Sequence, residues 1–161
     1  MEAEKQIVIR ETTAREDSII AKHFQQMWLD IGVPEELIHS DWENNTVSFI
    51  EQARQNLSYQ GFVALVNDVI VGSASCQLFA GLYPNALKVD YRNYGYIWGV
   101  YVEKPYRRQG IARKLTRKTV EYLQKIGCTR AVLNASPEGK SVYEGLGFIN
   151  SNAMHLDLTQ M

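Results

Sequence analysis

A mixed β-sheet with helices packed on its faces, an α/β (α+β mixed) architecture, is what this sequence predicts, and three features predict it. Strand-like apolar runs crowd residues 62–102, a strongly amphipathic helical pattern follows Gly110, and another strand-like run at 131–134 comes straight after that helix. Strands joined through a helix run parallel, whereas strands joined by a tight turn reverse, so the sheet is mixed. With 161 residues the chain suits a single domain over residues 1–161, large enough to bury a core and short for two.

Each element has its own signal. Ile7 and Ile9 alternate with their neighbours in a short first strand. Thr12 or Thr13 then caps a helix running to about Ile31, in which Ile20, Phe24, Met27, Trp28 and Ile31 recur at helical spacing as an apolar stripe facing a core. His23 beside that stripe reads as a satisfied helix residue rather than a ligand. Gly32-Val33-Pro34 breaks the run. A second helical region follows with Trp42, Ile50, Ala53 and Leu57 inward, and Asn44-Asn45 marks a point where it can break. Residues 62–66 and 69–79 form a hairpin turned at Asn67-Asp68, a pair that tolerates tight-turn geometry. Residues 81–93, with Tyr83, Pro84, Asp90 and Tyr91, form a loop, and residues 94–102 are the central strand. In the helix after Gly110, Leu115, Thr119, Leu123 and Ile126 face inward, Arg113, Lys114, Arg117 and Lys118 lie mostly outside, and Gly127 supplies the stop. The strand at 131–134, a short helix that starts at Pro137, carries Tyr143 and ends at Gly145 or Gly147, and one or two closing strands over 148–158 complete the order.

Bulk composition excludes several classes. Hydrophobic residues make up 45% and charged residues 22%, which fits a globular chain and neither a disordered nor a fibrous one. The formal net charge is -1, and basic residues gather only between Lys104 and Lys118, so a small phosphorylated ligand fits better than a nucleic acid polymer. Cys76 and Cys128 have neither a paired nor a metal-finger spacing and read as small buried hydrophobes, with no disulfide and no metal expected. Residues 1–5 hold no apolar export segment and no later stretch is long enough to span a bilayer. The expected location is cytoplasmic, with no membrane partner.

The densest signal is Arg107-Arg108-Gln109-Gly110-Ile111-Ala112, between the central strand and the amphipathic helix. The first N–H groups of a helix lack carbonyl partners and the macrodipole adds positive charge there, so the junction is an anion cradle. Gly110 leaves the main chain open to a ligand, while Arg107, Arg108 and Arg113 supply charged donors. The P-loop and dinucleotide glycine patterns are both absent. The spacing Arg-x-x-Gly-x-Ala resembles the coenzyme A pyrophosphate loop of the GNAT family of N-acetyltransferases. Around it, Val100-Tyr101-Val102 with Pro105 upstream, and Ala135-Ser136-Pro137 leading to Tyr143-Glu144-Gly145-Leu146-Gly147-Phe148 downstream, are similar to that family's blocks in order and spacing.

The resemblance implies a GNAT-like fold in which the central strand and the strand after the long helix splay apart, the crevice taking the pantetheine arm of acetyl-coenzyme A against main chain at Val100 and Val102. Gln109, Gly110, Ile111 and Ala112 would hold the pyrophosphate with the three arginines. The implied activity is transfer of acetyl to a primary amine of a small molecule or peptide, by direct attack through a tetrahedral intermediate; a non-catalytic acyl-coenzyme A sensor is the alternative. A third option, a nucleic-acid-binding protein, has only the local basic residues in its favour.

The chemistry needs a neutral amine, an oxyanion donor and an acid for the leaving thiolate. A main-chain N–H near Val100, where Gly99 loosens the strand into a bulge, is the candidate donor. Tyr143 is the acid that the resemblance assigns, with an unperturbed phenol pKa of about 10. Asn134 and Ser136 stand where short polar side chains can meet the pantetheine amides. Some family members carry a glutamate base where this chain has Ala131, so that base is missing. Glu103, close to the phosphates, reads as a solvated residue. Asp30, Glu35, Glu36, Asp41 and Glu43 concentrate negative charge on the expected acceptor side, which suits a cationic amine and equally a solvated helix surface. Tyr83, Tyr91, Tyr94 and Trp98 are candidates for an aromatic pocket or for core. An exposed sheet edge near 148–158 leaves a homodimer open as one assembly, without fixing the oligomeric state.

Overall fold

Five strands pair in sequence order in the computed structural model, which describes residues 6–160; residues 1–5, on which the expected location rests in part, lie outside them. The strands are β1 (Ile7–Glu11), β2 (Gln60–Val66), β3 (Val69–Leu78), β4 (Tyr94–Val102) and β5 (Arg130–Val132). The first three pairings are antiparallel and β4 with β5 is parallel, because only that step crosses over through a helix. Asn67 and Asp68 turn the β2–β3 hairpin with φ of 50° and 65°, the left-handed values a two-residue turn requires.

Helices cover both faces. Helix α1 (Asp17–Asp30) and α2 (Trp42–Asn56) lie on one, α4 (Ile111–Lys125) on the other; the one-turn α3 (Tyr83–Ala86) comes between β3 and β4, and the short α5 (Lys140–Gly145) follows β5 and packs on α4. Residues 14–16 form a 3-10 turn ahead of α1, with the Thr13 N–H donating to Glu16 Oε1 at 3.2 Å. Asn44 and Asn45 do not interrupt α2. Leu115 and Leu123 of α4 enter the larger core with Phe62, Cys76 and Ile97, whereas Ile20, Ile50, Ala53 and Tyr59 form a smaller one beneath α1 and α2. Arg54 ties α2 to α1 through two bonds, 2.7 and 3.0 Å, to the carboxylate of Asp17, a residue only 2% exposed. No helix among the described residues is long and apolar enough to cross a membrane.

Buried on both faces, β3 divides its side chains by chemistry. Gly72, Ala74 and Cys76 turn to α4, while Ser73, Ser75 and Gln77 turn to α1 and are hydrogen-bonded there to His23, Tyr59 and Trp98. Burying a hydroxyl or amide is tolerable only with such partners.

Several expectations change. Residues 148–158 form no strand: Gly147 turns the chain at φ 98°, and Ile149 and Met154 stay 90% and 96% exposed with no neighbouring strand to cover them. The open edges of the sheet are therefore the outer sides of β1 and β5, each of which has a single strand partner among the described residues. The strand expected at 131–134 pairs only over Arg130–Val132. The short helix begins at Lys140 rather than Pro137, after a turn in which Gly139 and Lys140 donate to the Ser136 carbonyl. The loop at 81–93 contains the single turn of α3.

Gly72 sits where a Cβ would lie 2.7 Å from the Tyr101 carbonyl oxygen, a backbone atom with little room to move. Gly72→Ala is expected to lower stability by about 1–3 kcal/mol, measured by urea unfolding, while far-ultraviolet dichroism stays native.

Candidate functional site

Two features of β4 open the site. Pairing with β5 runs only from Tyr94–Arg130 to Tyr96–Val132, and beyond it the strands part. Against β3 the register shifts between Ser73–Tyr101 and Ser75–Trp98, leaving Gly99 and Val100 opposite Ala74 alone. This is a bulge, with Gly99 at φ 65° as its left-handed residue. At the far end the Glu103 N–H donates to the Val71 carbonyl, so the main chain of Val102, one residue earlier, faces away from β3.

A cavity of about 590 Å³ fills the parting. One wall is Tyr96 to Val100 of β4, another is Leu133 to Ser136 with Tyr143, and the third is α1 and α2 through Phe24, Met27, Trp28, Ile31, Asn45, Thr46 and Phe49. The apolar stripe expected to face a core is thus divided: Ile20 is core, while Phe24, Met27, Trp28 and Ile31 line this opening. Of the aromatic candidates only Trp98 lines it; Tyr83 and Tyr94 clasp Arg92 at 3.8 and 4.0 Å, and Tyr91 is exposed.

The turn into α4 has the geometry of an anion cradle. Arg108 and Gly110 both adopt left-handed conformations, φ 64° and 80°, and nothing in the protein stands within 4 Å of where a Gly110 Cβ would be. No side chain caps α4, and its first internal bond runs from the Lys114 N–H to the Gly110 carbonyl. Among the described residues, no protein acceptor meets the N–H groups of Ile111, Ala112 and Arg113.

The cations around the turn divide. Arg107 is engaged: Nε donates to the Val102 carbonyl at 2.7 Å, Nη2 to Asp30 at 2.9 Å, and the guanidinium lies 5.3 Å from the Tyr101 ring. Asp30 also accepts from Gln26 and Tyr101 and has Lys104 at 3.8 Å, so it is no solvated surface acid. Burial pushes its carboxyl up, but the bonds from Gln26 and Arg107 and the nearby positive charges outweigh that and leave it below the usual range. Arg108 and Gln109 are exposed, and Arg113 reaches the Gly145 carbonyl at 3.3 Å, joining α4 to α5.

Tyr143 lines the cavity, edge-on to Phe148 with ring centroids 6.0 Å apart. Burial raises its phenol above the 10.0 of a free tyrosine, which keeps the proton in place at neutral pH. Asn134 donates to the Tyr96 hydroxyl at 3.1 Å, across the fork between β4 and β5. Ser136 Oγ accepts from the Gly139 N–H at 3.1 Å, bracing the turn that leads to Tyr143.

Sequence reasoning set aside one cluster that the fold assembles. His23 Nδ1 is 2.8 Å from Ser73 Oγ and Nε2 is 3.4 Å from Glu103 Oε1, with the Tyr101 ring 5.2 Å away. Glu103, half-exposed, thus faces His23 rather than solvent alone. A lone histidine in a helical stripe carries no local sign of partners 50 and 80 residues away.

Residues 20–148 match the model of the acetyltransferase (GNAT) family. N-alpha-acetyltransferase 30 of Xenopus laevis is 31% identical over 96 residues, 58% of this chain; the match spans 33% of that relative, about a third of its length. Two solved structures share the fold. A GCN5-related N-acetyltransferase from Ralstonia eutropha superposes with a TM-score of 0.80 at 17% identity, over 96% of this chain and 99% of its own. A predicted acetyltransferase with acetyl-CoA from Clostridium acetobutylicum gives 0.76 at 22% identity, over 97% and 99%.

Burial lowers the His23 pKa below 6.5, the Lys22 charge acts in the same direction, and Glu103 opposes them in part. The unfolded chain therefore binds the proton first as pH falls. Stability from neutral His23 is complete above pH 6.5 and declines below it, by at most about 1.4 kcal/mol per pH unit for one proton. Urea unfolding between pH 7.5 and 5 is expected to show a steeper loss for the wild type than for His23→Gln; equal slopes would remove His23 as the cause.

Proposed function

The chain belongs to the acetyltransferase (GNAT) family, and from that membership we propose that it moves an acetyl group from acetyl-coenzyme A to a primary amine of a small molecule or peptide, by direct attack through a tetrahedral intermediate. The observation that carries this reading is the uncapped turn at Gly110 opening beside an uncharged crevice that holds Tyr143.

The residues fit the coenzyme. In this reading Gln109, Gly110, Ile111 and Ala112 present main-chain donors to the pyrophosphate, and Arg108 and Arg113 add charge. Arg107 contributes chiefly by fixing the turn to β4 and α1, since its guanidinium is already bonded. Val100 and the N–H of Val102 offer strand-like pairing to the pantetheine arm, the Val102 carbonyl being taken by Arg107. Asn134 and Ser136 border the same channel.

The bound thioester supplies an activated acetyl group. The Val100 N–H, displaced at the Gly99 bulge, is the donor we assign to the developing oxyanion. Tyr143 carries the proton we assign to the departing thiolate, its raised pKa keeps that proton available, and the proton shed by the attacking nitrogen restores the phenol as the amide forms. None of the cavity-lining residues is Asp, Glu, Lys, Arg or His, so no lining side chain serves as a general base. An acceptor that is already partly neutral suits such a site. An α-amino group, with a pKa near 8, meets that condition where a lysine near 10.4 does not; the relative named N-alpha-acetyltransferase 30 supports the same choice. The free thiols of Cys76 and Cys128 accord with a reducing, cytoplasmic setting.

Two substitutions separate binding from chemistry. Tyr143→Phe is expected to lower kcat about 10- to 100-fold with little change in acetyl-coenzyme A affinity; an unchanged kcat removes the acid role. Gly110→Ala, strained at φ 80° and obstructing main-chain approach, is expected to weaken acetyl-coenzyme A binding at least about tenfold by calorimetry. Coenzyme A release measured against a panel of amines tests the activity itself: binding without amine-dependent release would leave a sensor rather than an enzyme.

A further inference from the structure

The acceptor end of the cavity has a composition that identifies what it takes. Phe24 stands edge-on to Trp98 at 5.1 Å and to Trp28 at 5.9 Å, and Phe49 meets Trp98 edge-on at 5.9 Å. Trp98 is held in place by its indole N–H, which donates to Gln77 Oε1 at 3.0 Å, with Tyr59 behind it at 6.2 Å. The rings are thus a built wall rather than a loose surface. Trp28, Phe49 and Ile31 nevertheless remain 40%, 49% and 56% exposed, an unusual concentration of uncovered apolar surface around one concavity.

The polar groups near these rings are few and neutral. Asn45 and Thr46 project from α2 into the lining, and the Thr46 hydroxyl donates to the Trp42 carbonyl at 2.7 Å, which leaves its oxygen lone pairs to accept. An N–H of a neutral amine matches that acceptor. An ammonium ion would lose its hydration with no carboxylate to replace it. Among the described residues no Asp or Glu lines this cavity: Asp30 is bound by Arg107 and Gln26, and Glu35 and Glu36 border a separate concavity with His39 and Trp42.

We propose that Phe24, Trp28, Phe49 and Trp98 form a side-group subsite that selects acceptors whose primary amine is carried on an aromatic or large apolar body, taken up with the amine neutral. This rests on the acetyl-transfer reading above and adds to it the class of acceptor. Both a peptide beginning with such a residue and a free aromatic amine present this chemistry. A polyamine, or a lysine side chain in a peptide, does not. The neutral fraction alone disfavours lysine by roughly two-hundredfold against an α-amino group at pH 7.5.

The test holds the amine constant and varies the body. With acetyl-coenzyme A saturating, phenylalaninamide is expected to exceed alaninamide in kcat/KM by at least about tenfold, and Phe49→Ala to reduce that ratio below about threefold while acetyl-coenzyme A affinity is kept. A phenylalanine-initiated tripeptide and 2,2-difluorophenethylamine, a free amine whose fluorines make it as weakly basic as an α-amino group, then distinguish the two sources of the ligand. Ligand-observed NMR with N-acetylphenylalaninamide and no coenzyme gives a second readout: saturation transfer with the wild type, lost in Phe49→Ala. Equal kcat/KM for phenylalaninamide and alaninamide, or a preference for spermidine or an N-terminally blocked lysine peptide, overturns the subsite. No release with any amine, together with intact N-acetylphenylalaninamide binding, overturns the transferase reading and leaves the subsite standing; loss of both overturns the two together.

Discussion

Parallel pairing that stops after three residues is the constraint from which the rest of this molecule follows. A buried strand must satisfy its main chain on both sides, and β4 does so against β3 except at the Gly99–Val100 bulge but against β5 only from Tyr94 to Tyr96. Beyond that point its outer side faces a cavity, which needs polar partners from a ligand or from water. The fold holds the parting open from two directions. The Asn134 amide bridges to the Tyr96 hydroxyl at the fork, and α1 and α2 roof the gap with rings rather than filling it. The bulge at Gly99 and Val100 falls in the same stretch, so main-chain displacement and open space coincide.

Helix α1 links the two ends of the site. Its middle is anchored to the sheet through His23 and Ser73, its start to α2 through Asp17 and Arg54, and its last turn to the turn before α4 through Asp30 and Arg107. A half-exposed ion pair such as Asp30–Arg107 adds little to stability by itself. Its consequence is positional, because the Arg107 guanidinium also takes the Val102 carbonyl and so fixes the end of β4 relative to α1. The helical roof over the cavity and the turn into α4 are therefore parts of one bonded frame.

Local patterns made much of this legible. Gly110 ahead of a strongly amphipathic run located α4, and Asn67-Asp68 located the hairpin, because helix starts and tight turns are decided by the residues that form them. The bulge was likewise readable from Gly99. Long-range partners were not. The polar seam of Ser73, Ser75 and Gln77 looks like ordinary strand alternation with a solvent face, yet it is buried, because α1 and α2 return from a distant part of the chain to cover it. The same return makes Phe24 and Trp28 line a cavity although their spacing is that of core. Residues 148–158 failed in the opposite sense: their alternation is strand-like, but a strand also needs a neighbour, and none of the described residues provides one.

Charge is segregated along the crevice in a way that bears on proton handling. Arg108, Arg113 and Lys114 lie at the turn into α4, and Glu35 and Glu36 border a separate concavity, while the residues that line the cavity include no ionisable group except the tyrosine phenols. In that space an ion would gain no compensating partner, so burial favours neutral forms of whatever enters. The raised phenol of Tyr143 is the protein's own instance, a group kept protonated by its surroundings rather than by a charged neighbour. An amine entering the same surroundings experiences the same bias with opposite sign of charge, losing a proton where tyrosine keeps one. Burial alone thus accounts for the neutral phenol of Tyr143, and no carboxylate stands in the lining that it shares with Phe24, Phe49, Trp98 and Leu133.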